Sequence, residues 1–228
     1  HSDANLTNRT GKIVHNGSGN ADIKARSIDN TEGTIISNNV LTVKASKDID
    51  NTQGGIQGDA LNVQSQSFNN DNGQLISLTG DLQLNSDLVT NQGKNAFIQS
   101  GKDLTVNSQR LDNKQSATLW AKGSANVSAT DSLTNLSGAA IASDKQLVVK
   151  AGALTNDAKI SSNEVVLNSD VLDNLSQGQI TGATNNVITT KQALNNQGVI
   201  GATDKLDINS GAIDNNQGVL SAAEVILN

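Results

Sequence analysis

The sequence predicts an all-β fold: a right-handed parallel β-helix, a solenoid of about ten coils of about 21 residues each. Three observations predict it. An apolar residue two positions before an Asn recurs along the whole 228-residue chain. The apolar residues between those marks alternate with a period of two, the signature of half-buried strands. The composition suits paired strands and tight corners, with 20 Gly, 31 Asn and no Pro.

Each unit reads in the same order. The mark comes first, at Asn8, Asn30, Asn51, Asn70, Asn91, Asn113, Asn135, Asn156, Asn174, Asn196 and Asn215. Successive marks are separated by 18 to 22 residues. A Gly follows in most units (Gly33, Gly54 and Gly73), but the units after Asn113 and Asn156 lack it. A first short strand then places an apolar residue two before a small one: Ile35 and Ser37, Ile56 and Gly58, Leu119 and Ala121. After a turn of three to six residues comes a second strand, as in Leu61, Val63 and Ser65 or Leu147, Val149 and Ala151. The third strand leads into the next mark. Asn, Gly, Ser and Thr fill the outward positions and are poor helix formers, which excludes helix.

One coil cannot bury its apolar face alone, whereas stacked coils can, through parallel hydrogen bonds about 4.8 Å apart. The marking Asn follows an inward residue by two, so it is expected to point inward at a corner. A buried amide needs partners, and the next coil's Asn and the turn backbone can supply them. The left-handed backbone a corner needs is assigned to this Asn, with the following Gly relieving the same strain.

The pattern of an apolar residue, Asp or Thr, Asn, then Gly, Ile-x-Ser and Leu-x-Val-x-Ser resembles the filamentous haemagglutinin repeat, over essentially all 228 residues. The resemblance implies a right-handed parallel β-helix, the hand also expected of parallel crossovers. It also implies a secreted, cell-surface bacterial exoprotein exported by an outer-membrane two-partner secretion transporter: an adhesin, a haemolysin or a contact-dependent growth inhibition toxin. The chain begins and ends in mid-pattern. Residues 1–228 therefore read as one β-helix segment of a longer exoprotein, a stalk that presents a toxin or adhesive module to target cells. Contact-dependent growth inhibition is the slightly favoured role. A host-cell or biofilm adhesin with a lateral binding face is the alternative, and a carbohydrate-active solenoid enzyme the rival of another class. The expected partners are a target-cell receptor, protein or glycan, and the transporter; the segment itself is expected to be monomeric.

Composition removes several chemistries. With no Cys there is no disulfide, thiolate metal site or thiol nucleophile. A net charge of −6 with few Arg argues against a nucleic-acid surface. No apolar run approaches the length of a membrane-spanning helix. The short turns build no cleft, so neither catalysis nor a cofactor is expected, and His15 has no metal-ligand partners at useful spacing. Asp29 and Asp50 fall on adjacent coils, where they would repel unless solvated or bridged by a cation.

Two outward apolar groups remain. Ile36, Ile76, Phe97 and Trp120 are expected to form an exposed stripe along the N-terminal half, a candidate partner-binding patch. Val148, Val166 and Ile188, with Ile226 further on, form a second candidate in the outward slot of the second strand. The alternative for both is cross-strand stacking that stabilises the sheet.

Overall fold

The computed structural model describes residues 3–228. Among them are 24 strands and no helix, and the strands pair in parallel from coil to coil. Thr34–Ser37, Leu41–Ala45 and Asp48–Asp50 are the three strands of one representative coil. Each pairs with its counterpart in the next coil, Ile35 with Ile56, Leu41 with Leu61 and Ile49 with Phe68. The result is a parallel β-solenoid of about eleven turns, one more than the sequence count, because every marking Asn opens a turn of its own.

The core is a stack of identical layers. Ile35, Ile56, Leu75, Ile98 and Leu119 form one inward column, and Val43, Val63, Leu84, Val106 and Val127 another; all are buried. Phe68, the largest buried side chain, takes the slot held by Ile49 below and Val89 above. Burial of each such side chain contributes about 1.5–3 kcal/mol. The strands lengthen toward the C-terminal half. Lys159–Asn174 and Gln179–Asn196 each run through most of a coil with only bulges at the corners.

Two local expectations are corrected. The left-handed backbone is not at the marking Asn but two residues later, at Thr10, Glu32, Gln53 and Asn72, with φ between 51 and 55°. A tight turn explains this: Gly33 N–H donates to Asn30 C=O at 3.0 Å, and Glu32 is the third residue of that turn, where a positive φ is required. Asn30 itself stays in strand register, which is what points its amide inward. The Gly that follows is needed for space, not for φ. A Cβ on Gly33 would lie 2.0 Å from Asn8 O and 2.7 Å from Asn30 Oδ1.

The second correction concerns phase. Ile188 is fully buried, and Val187 takes the outward slot beside Val166. A register shift between Ser162 and Glu164 against the next coil carries Asn186 into the inward column, between Val165 and Leu206. The second apolar column is therefore Val148, Val166 and Val187, interrupted by Asp207 before Ile226.

Candidate functional site

The inner polar feature is the Asn column. Nδ2 of each marking Asn donates to Oδ1 of the next, at 2.6 to 2.9 Å, in an unbroken run from Asn8 to Asn215. The second amide proton serves the backbone: Asn30 Nδ2 also reaches Gly33 O and Gly55 O, both at 3.2 Å. Each interior amide thus has its acceptor and its donors occupied, which is what burial at 0% exposure demands. All ten bonds point the same way along the axis, from N-terminal coil to C-terminal coil. The column is saturated and has no free valence for a ligand.

One residue before it, facing outward, runs a second polar column of Asp, Asn and Thr. Asp29 accepts from the Thr31 hydroxyl at 2.7 Å and the Thr31 amide at 3.1 Å, and Arg9 pairs with it at 3.0 Å. Burial pushes the Asp29 carboxyl up, but the bonds from Thr31 and Arg9 outweigh it and hold the group below the ordinary aspartate range. Asp50 repeats the motif with Thr52 and also accepts from Asn69. Each carboxylate is therefore satisfied by donors from its own turn and from a coil that flanks the pair, Arg9 before Asp29 and Asn69 after Asp50. Asp112 is treated similarly: burial raises it, and Thr134 and Lys114 bring it below its usual value. Asp71 is the exception. Its Oδ1 is buried without a partner, and burial, aided by the charge of Asp50, raises its pKa. Among the described residues no group of three or more His, Cys, Asp or Glu is placed to hold a metal ion.

The four residues of the first apolar patch all point outward and are half-buried. They do not form one continuous stripe. Gln57 separates Ile36 from Ile76 in the same column, and Gln99 separates Ile76 from Trp120. Phe97 occupies the neighbouring outward column, paired with Gln74 and Thr118. Ile76, Phe97 and Trp120 are therefore diagonal neighbours on three consecutive coils, and Trp120 Nε1 donates to Asp144 at 3.2 Å.

A feature the sequence reading missed lies where the second strand bends into the third. Small buried residues, among them Ser65, Ser86, Ala129 and Ser169, occupy the bend coil after coil. The residue before each faces out, in a register-matched column from Gln64 through Asn85, Asn107, Ser128 and Lys150 to Thr189. These columns line an open axial trough. Its N-terminal part encloses about 460 Å³ and its C-terminal part about 330 Å³, and Thr130 borders both. Asn107 Nδ2 donates to Asn85 Oδ1 at 2.8 Å, and Ser65 and Ser86 share a bond of 3.0 Å. Ser169, 5% exposed, has a hydroxyl with no partner. The signal for the trough was present as a column of small residues, but columns of small residues also mark ordinary corners.

The haemagglutinin repeat family matches in three overlapping stretches, residues 2–93, 78–137 and 120–228. The chain belongs to the haemagglutinin repeat family. No curated protein and no solved structure matches it. The haemagglutinin repeat is a structural, adhesin-type unit of large filamentous exoproteins rather than an enzyme family, and such proteins are typically secreted and exposed at the surface. The interval between successive marking Asn is also the interval between successive Asn–Asn bonds, so in this chain the sequence unit and the structural unit coincide.

Proposed function

We propose that this haemagglutinin-repeat segment is a length of rigid stalk. In the parent exoprotein it holds a terminal toxin or adhesive module away from the producing cell, in contact-dependent growth inhibition. Export would run through an outer-membrane two-partner secretion transporter. A chain without Cys suits passage unfolded, because no premature crosslink can form. The observation that carries the reading is the unbroken Asn column from Asn8 to Asn215, with no long inserted loop among the described residues. Ten steps of about 4.8 Å give a rod of about 50 Å from this segment.

The test uses in-frame deletions in the full-length parent. Removing residues 52–91 joins Asn51 to Gln92 and keeps every column in register. Surface display should persist, and growth inhibition of contacted target cells should continue at a shorter reach. Removing residues 52–60 breaks the register and should abolish both. If the two deletions behave alike, the stalk reading fails. A second reading, an adhesin with a lateral face, is favoured by the diagonal run of Ile76, Phe97 and Trp120. In that case Phe97→Ala with Trp120→Ala lowers target-cell adherence without altering stability, and deletion of the terminal module leaves adherence intact.

A further inference from the structure

We infer that the axial trough is a binding site for an extended, uncharged β-linked polysaccharide lying along the solenoid axis, with one sugar facing each coil. The inference stands apart from the stalk reading, since a rod can hold a module at a distance with or without it. Four observations converge. First, from Gln64 to Thr189 every coil contributes one outward side chain at the same register position, and each carries a hydrogen-bonding group. The rise per sugar of an extended β-linked hexose chain is close to the coil spacing, so each ring lies against one coil, with alternate rings turned over and presenting their hydroxyls from alternate edges.

Second, the floor is smooth and small. Ala151 and Gly152 are partly exposed and leave room for the C–H faces of a sugar ring, and no larger residue fits at 152, where a Cβ would lie 2.5 Å from Asp131 O. Third, the Ser169 hydroxyl at this floor is buried and has no partner, although Ser65 and Thr190 in the same column are bonded to neighbouring coils. A buried hydroxyl left unpaired costs about 1–3 kcal/mol, and a ligand hydroxyl would relieve it. Fourth, the charge is balanced: Lys150 and Lys191 are matched by Asp170, tied to Lys191 at 2.6 Å, and by Asp87 in the other half, and the chain carries a net −6. That balance disfavours a polyanion. A peptide strand is disfavoured as well, because the backbone groups along this face are already paired to the coils above and below, which leaves no edge to extend.

Calorimetric titration of the whole chain with cellohexaose and with hexa-N-acetylchitohexaose tests this. At least one hexaose should bind with a submillimolar dissociation constant, and its disaccharide should bind about tenfold more weakly or worse, since it spans fewer coils. Ser128→Arg, an outward residue at the centre of the column, should lower hexaose affinity about tenfold or more while Gln57→Arg on the first strand leaves it unchanged. Ser169→Ala should weaken binding yet raise thermal stability, a pair of signs that a purely structural hydroxyl would not give. The inference is overturned if neither hexaose binds at millimolar concentration. It is equally overturned if Ser128→Arg binds as the parent chain does, or if hexagalacturonate binds and the neutral sugars do not.

Discussion

Replacing Asn91 by Asp exchanges one amide nitrogen for an oxygen and takes a donor out of the column. In the native chain Asn70 Nδ2 donates to Asn91 Oδ1 at 2.8 Å, and Asn91 Nδ2 donates to Asn113 Oδ1 at 2.9 Å and to Thr118 O at 3.3 Å. An ionised carboxylate would set a second oxygen against those two acceptors at a site that is 0% exposed. The cheaper state is the protonated acid, which still donates to Asn113. Holding an Asp protonated at pH 7 against a free pKa near 3.9 costs about 4 kcal/mol, at about 1.4 kcal/mol per pH unit. The folded-state pKa is raised, so the native form binds the extra proton. The variant's stability relative to the parent is therefore highest below about pH 4 and falls as pH rises toward the raised value. Urea denaturation of parent and variant in parallel from about pH 4 to 8 measures the difference, with other titrations cancelling. We expect a deficit of about 5 kcal/mol at pH 7, the protonation cost plus about 1 kcal/mol for the lost amide donor, that shrinks to about 1–2 kcal/mol near pH 4. A deficit that does not change with pH, or none at pH 7, would refute a saturated, water-free amide column.

Three further substitutions probe other parts of the argument. Gly54→Ala places a Cβ 2.1 Å from Asn30 O and should destabilise the fold by about 1–3 kcal/mol or more by chemical denaturation, although φ at Gly54 is not left-handed. Asp71→Asn should stabilise the chain at neutral pH. Burial and Asp50 raise the Asp71 pKa, so ionisation is a cost that appears as pH rises above the ordinary aspartate range and vanishes in acid, and thermal melts at two pH values should show that sign. Asn186→Leu removes an unpartnered buried carbonyl oxygen and restores the aliphatic column between Val165 and Leu206, but it also removes the Nδ2 bonds to Ile180 O at 3.2 Å and Gly201 O at 3.3 Å; a net gain of no more than about 1 kcal/mol is expected, read as a slightly higher urea midpoint.

Much of this architecture was legible because a solenoid converts periodicity directly into contact. Residues one period apart become neighbours, so the spacing of Asn51, Asn70 and Asn91 already places them in one file. The misread segment shows where that logic fails. Val187 and Ile188 are adjacent and both apolar, so alternation fits equally well in two phases one residue apart. Counting back from the marking Asn does not settle the phase, because the bend residue lies five positions before the mark at Ser65, Ser86 and Ser169 but six before it at Ala45, Ala129 and Thr190. The corner conformation was misplaced for another reason. Residue type does not announce φ when the turn imposes it, and Thr10, Glu32 and Gln53 all adopt positive values.

The sequence by itself determined the all-β class, the coil length, the inward columns and the absence of thiol chemistry, because each follows from which residue types recur at which interval. The tertiary structure alone decided the direction of the Asn bonds, the close approach that makes Gly33 and Gly54 necessary, and the existence of the axial trough. Those depend on distances between atoms in different coils. A one-dimensional pattern says which residues will be neighbours, but not how near their backbones come or which hydroxyl, like that of Ser169, is left without a partner.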